Sequence, residues 1–187
     1  MELHGEKLIP APLAQTWEAL NDPAALQACI AGCESLERTA ADTFVAVVAV
    51  KVGPVSARFK GKLQMSKVQA PNSYTINFDG QGGVAGFGKG SADVALTAEG
   101  NQTRLKYVAR AQVGGKMAQV GSRLIDAAAG KIAEDFFKAF GASLQAATAG
   151  AGATPAPTPA PASGGSNPLW WVVGAAVVLS ALYFLIL

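Results

Sequence analysis

KMAQVGSRLIDAAAGKIAEDFFKAF, Lys116 to Phe140, is the stretch that decides the architecture. Met117, Val120, Leu124, Ala128, Ile132, Phe136 and Phe140 recur at steps of three or four residues, the spacing of one face of an α-helix. Arg123, Asp126, Lys131, Glu134 and Lys138 fall mostly off that stripe. The spacing predicts one helix of about seven turns at 3.6 residues per turn.

Upstream of it the period is two. Val55, Ala57, Phe59, Leu63 and Met65 alternate with Ser56, Arg58, Lys60, Lys62 and Gln64, which predicts a strand with one apolar face. Phe44 to Val52 is rich in β-branched residues, and Gly53-Pro54 between the two runs makes them a hairpin. Tyr74, Ile76 and Phe78 alternate in a further strand, and Val84–Thr97 and Arg104–Val113 supply two more, joined through Glu99-Gly100-Asn101. Glu2–Ile9 reads as a first strand. Pro12 then opens a short helix carrying Leu13, Trp17 and Leu20, and Asn21 or Asp22 caps a second one with Pro23 in its first turn, running to about Ile30. The order is strand, two short helices, antiparallel strands, long helix. This is an α+β, helix-grip arrangement: a curved antiparallel sheet around a long C-terminal helix.

Such a sheet does not easily close its ends. Gly121, Ala127, Ala128, Ala129 and Gly130 on the helix, and Ala46, Ala49, Ala57, Gly61, Ala85, Ala92 and Ala95 on the strands, contribute little volume. They leave either an apolar cavity suited to a hydrophobic ligand or tight packing between small side chains. In the first case Phe59, Leu63, Met65, Phe78, Met117, Val120 and Leu124 face the interior. Phe87, bracketed by glycines in the run Gly80–Gly90, then sits at the mouth. That run lacks GxxxxGK[ST] and continues as a strand, so it reads as a bend admitting close backbone approach rather than a phosphate loop. Gly114-Gly115 reads as a hinge before the helix.

Catalytic and metal chemistry find little support. His4 is the one histidine, and no Ser-His-Asp or Cys-His set is evident. Cys29 and Cys33, four apart, could share one helical face as reduced structural thiols or a redox pair; two thiols alone make a poor zinc site. The 15 Lys+Arg and 13 Asp+Glu give a net charge of +2, without the excess that marks a nucleic-acid binder. Arg58, Lys60 and Lys62 form the densest basic row, either a solvated strand face or a docking patch for a partner or anionic lipid headgroups.

Beyond Lys138 the chain is uncharged. Residues 1–148 form the folded domain. Residues 149–167, AGAGATPAPTPAPASGGSN, read as an extended and partly flexible linker. Residues 168–187, PLWWVVGAAVVLSALYFLIL, read as a transmembrane anchor: a helix from Leu169 to Leu187 would be about 28 Å long, matching the hydrocarbon thickness, with Trp170 and Trp171 at the interface. MELHGEKLIP is not a secretory signal, so the expectation is a domain on the cytoplasmic side of the inner membrane.

NDPAALQACIAGCESLE (21–37), VKVGPVSARFKGKL (50–63), GQGGVAGFGKGSA (80–92) and AQVGGKMAQVGSRLID (111–126) resemble the carbon monoxide dehydrogenase CoxG family of the START/Bet v 1-like (SRPBCC) superfamily. The resemblance spans about residues 1–145; Ala31 stands where that family often carries Pro. It implies a helix-grip fold and association with a molybdenum-containing CO dehydrogenase or a related hydroxylase, and does not imply catalysis by this chain. Combined with the anchor, it leads to the expectation of a non-enzymatic protein that takes a respiratory quinone, menaquinone or ubiquinone, from membrane lipid to that enzyme. The alternative is a recruitment scaffold or assembly factor without ligand transfer.

Overall fold

The computed structural model describes residues 1–151. In order it contains β1 (Glu2–Ile9), α1 (Leu13–Leu20), α2 (Pro23–Cys29), β2 (Cys33–Ala40), β3 (Thr43–Val52), β4 (Val55–Gln69), β5 (Ser73–Gln81), β6 (Phe87–Glu99), β7 (Gln102–Gly114) and α3 (Ser122–Ala151). Two 3-10 turns, Gly83–Ala85 and Gly115–Val120, precede β6 and α3. The strands form one antiparallel sheet ordered β1-β7-β6-β5-β4-β3-β2. From β2 to β7 each strand pairs with its neighbour in sequence; only β1 pairs at a distance, with β7.

Local chemistry explains the elements. The Gly53-Pro54 turn works because Gly53 takes a positive φ of 56°, which a residue without Cβ adopts freely. The Ala24 N–H donates to Asp22 Oδ1 at 3.0 Å, and Pro23 fills the position whose N–H would be idle. Thr103 Oγ1 donates to the Ala11 carbonyl at 2.8 Å and accepts from Thr16 Oγ1 at 3.2 Å, stitching the start of α1 to β7 without leaving a buried polar group unpaired. Above this, Ile9, Leu20, Leu96, Leu105, Phe140 and Leu144 form one buried cluster, and Leu36, Phe44, Ala46, Met65 and Tyr74 a second. Trp17, Leu26 and Val94 pack against both.

Several expectations change. The single helix from Lys116 is interrupted: Gly121 at φ +94° separates the Gly115–Val120 turn from α3. A 3-10 turn also repeats every three residues, so Met117 and Val120 kept the apolar spacing without belonging to α3. The face of α3 is shifted as well. Leu124 and Ile132 are 50% and 44% exposed, whereas Phe140 and Leu144 are buried. Val84 lies in the 3-10 turn rather than in a strand, and β6 starts at Phe87. β2 was not expected. Cys29 ends α2 while Cys33 begins β2, so the two thiols do not share a helical face. α3 continues to Ala151, three residues into the stretch read as linker. The rest of that linker and the span 168–187 lie outside the described residues. Among the described residues, no helix is long and apolar enough to cross a membrane.

Candidate functional site

A cavity of about 380 Å³ lies between the sheet and the helices. Its walls run from Leu36 on β2 to Leu105 and Tyr107 on β7, so the sheet curves around it. The inward positions of β3 supply Phe44, Ala46 and Val48; those of β4 supply Phe59, Gly61, Leu63 and Met65; those of β5 supply Tyr74, Ile76, Phe78 and Gly80. Leu20, Leu26 and Ile30 close one side from α1, α2 and the end of α2, and Phe136 and Phe137 close another from α3.

The floor is shaped by missing side chains. Ala46, Gly61, Gly80 and Gly88 sit side by side across β3, β4, β5 and β6, a row of nearly bare backbone. Beside it the Phe78 ring lies over Gly90, where a Cβ would stand 2.8 Å from ring Cζ. The aromatic wall is interlocked. Phe137 stacks on Tyr107 with centroids 5.3 Å apart and meets Phe136 edge-on at 5.1 Å; Phe136 stacks on Phe140 at 5.6 Å. Tyr107 in turn lies across Gly5 on β1.

Polar groups are few. Lys62 and Asp79 border the cavity, but strand alternation turns their side chains to the outer face. Among the described residues that line it, Tyr74 and Tyr107 bring the only hydroxyls. Burial pushes the Tyr74 phenol far above its usual range; it also raises that of Tyr107, where the Glu134 carboxylate adds to the effect. Among the described residues no cluster of His, Cys, Asp and Glu could hold a metal ion, and His4 is exposed on β1. The arrangement can enclose an apolar molecule; among the described residues it presents no acid–base or nucleophile–base pair in the cavity.

Of the residues expected inside, Phe59, Leu63, Met65 and Phe78 line the cavity. Met117 is buried within the Gly115–Val120 turn and does not line the cavity. Val120 and Leu124 do not line it; Leu124 approaches Gly53 at the β3–β4 turn. Phe87 is not at the mouth. In the β6–β7 register it shares its face with Lys89 and Gln112, the outer one, and its ring covers Gly114. The small residues of α3 do not line the cavity either; α3 contributes two phenylalanines instead. The glycine-rich run does admit close approach, since the Gly86 and Gly115 backbones touch. Arg58 ion-pairs with Glu34 at 2.6 Å, while Lys60 and Lys62 make no ion pair among the described residues. Leu26, Ile30, Tyr74 and Phe137 were not among the expected site residues, though Tyr74 shares the alternation that identified Phe78.

The profile of the carbon monoxide dehydrogenase CoxG family matches residues 5–145. No curated protein matches the sequence. Among solved structures, a conserved protein from Geobacillus kaustophilus is 28% identical with a TM-score of 0.74, covering 79% of this chain and 97% of its own. A START superfamily protein from Mycobacterium smegmatis is 14% identical with a TM-score of 0.61, covering 78% and 98%. The Zhui aromatase/cyclase from Streptomyces sp. R1128 is 13% identical with a TM-score of 0.59, covering 81% and 98%. The last two likenesses concern the fold alone, and a fold does not decide between container and catalyst.

Proposed function

Because the chain belongs to the carbon monoxide dehydrogenase CoxG family, we propose that it is a membrane-anchored binding protein. It takes up a respiratory quinone, menaquinone or ubiquinone, and delivers it to a molybdenum-containing CO dehydrogenase or a related hydroxylase. The observation that carries this reading is the cavity of about 380 Å³ with its apolar walls, within the range of about 300–1,000 Å³ typical of small-molecule sites. A quinone tail is too apolar to leave lipid unaided, since exposing it costs about 0.8 kcal/mol per CH₂. An apolar container removes that cost.

The uncharged segment 168–187 supports attachment to the membrane, and the Pro/Ala stretch before it gives reach. Tethering raises the local concentration of container and quinone. For docking the enzyme or anionic lipid, Lys60 and Lys62 are the usable part of the basic row, because Arg58 is engaged by Glu34.

The test is mass spectrometry of lipids that co-purify with the full-length protein, alongside fractionation of the full chain and of a chain ending at Ala151. The expected results are a bound quinone, a membrane-associated full chain and a released short chain. A protein that is empty of lipid yet still binds the dehydrogenase would establish recruitment without ligand transfer.

A further inference from the structure

The most deeply buried phenol of the cavity wall makes no hydrogen bond among the described residues. Tyr74 is 4% exposed and lines the cavity. Its ring meets Trp17 edge-on, with centroids 5.5 Å apart and planes at 77°. Its hydroxyl makes no hydrogen bond among the described residues. The side chain shares the inward face of β5 with Ile76 and Phe78, the face that lines the cavity. A buried phenol normally finds an acceptor, and here the described residues supply none.

We infer that the cavity selects an apolar ligand carrying a hydrogen-bond-accepting oxygen of the ketone or quinone type, and that Tyr74 donates to that oxygen. The inference rests on the ligand-uptake reading above and adds the recognition element to it. Burial keeps the phenol protonated, so it remains a donor at physiological pH. Lys62 is the one cation among the described residues bordering the cavity, and its place between the inward Gly61 and Leu63 turns its side chain to the outer face. A carboxylate or phosphate headgroup would therefore be buried without a counter-charge, which is unfavourable. A neutral carbonyl fits the buried Tyr74 donor.

The matched probes are menadione and 2-methylnaphthalene, which share one methylated bicyclic carbon skeleton and differ in the quinone ring, where two carbonyl groups replace C–H. Full-length protein in detergent is titrated calorimetrically with each. Tyr74→Phe keeps the ring against Trp17 and removes only the hydroxyl. The expected outcome is a menadione affinity lowered about three- to tenfold, the range of one neutral hydrogen bond, with 2-methylnaphthalene affinity unchanged. The carbonyl stretch of bound menadione should also return toward its value in apolar solvent in Tyr74→Phe. If both probes bind the wild type and the variant alike, the donor role of Tyr74 is overturned while uptake stands. Equal weakening of both probes overturns it as well, by making Tyr74 a packing residue. If the wild type binds neither probe, the uptake reading falls and takes the inference with it.

Discussion

The ring of Phe59 on β4 lies over Gly82, close enough that a Cβ at position 82 would stand 2.7 Å from ring carbons Cε1 and Cζ. Phe59 therefore holds its place in the cavity wall because residue 82 has no side chain. Gly82→Ala should displace the ring and cost about 1–3 kcal/mol, as overpacking does, while altering ligand uptake. Gly83→Ala next to it has open space but a φ of +59°. It should cost about 1–2 kcal/mol of backbone strain and leave uptake unchanged. Denaturant melts and a binding titration on both variants separate the two effects.

The bare row offers a direct way to fill the cavity. A Cβ at Gly80 would meet only ordinary neighbours, the nearest being the Gly88 carbonyl oxygen at 3.6 Å. Gly80→Leu should block ligand uptake and change stability by no more than about 2 kcal/mol, since the loss of glycine flexibility offsets part of the crowding. Leu124→Trp should leave uptake intact and stability within about 0.5 kcal/mol, because Leu124 is half exposed and outside the wall. Loss of uptake in Leu124→Trp with retained fold would place the binding site elsewhere than the cavity.

α2 closes the cavity through Leu26, and its first turn depends on the Asp22 carboxylate. Asp22→Ala should lower stability by about 0.5–2 kcal/mol, which thermal denaturation will report, and should speed ligand release by loosening that side. Asp22→Asn, which retains an accepting oxygen, should restore most of both.

Arg104 on β7 bridges Glu6 on β1 and Glu99 at the end of β6. Its hydrogen bonds are the leading cause holding both carboxyls below their ordinary value of 4.5. A carboxyl lowered in the folded state contributes stability that is present above its unfolded value and lost as pH falls through the folded one. Stability of the wild type should therefore fall as pH drops below 4.5. Arg104→Met should be less stable at neutral pH and should show a shallower loss over that acid range. Parallel pH–stability curves for the two proteins would show that the bridge does not matter in solution.

The strands that carry the site were legible because one face is buried and the other wet. The alternation through Phe59, Leu63 and Met65 directly encodes the cavity wall. The short helices were legible through proline and a capping carboxylate. β2 was not, because CESLERTA has a single buried position, Leu36, and otherwise reads as a polar loop. The break at Gly121 was hidden by apolar residues at steps that suit both kinds of helix. The face of Phe87 was hidden because glycines on both sides carry no alternation to set its parity. On α3 the apolar stripe reached Phe136 but left out its neighbour Phe137, because how far the inward face extends around a helix depends on how the helix docks, and here both rings line the cavity.

Among the described residues the sheet does not close into a barrel, so β1 and β2 are its two edges, where a strand has backbone groups without a neighbouring ladder. On β2 that edge is irregular. The pairing with β3 slips between Cys33 and Ser35 and again between Arg38 and Ala40, and Glu34, Glu37 and Arg38 crowd the strand with charge. A foreign strand approaching this border meets an irregular ladder and ionised side chains. Copies of the domain gathered at high density should consequently resist edge-to-edge polymerisation, with β2 acting as a built-in stop to sheet growth.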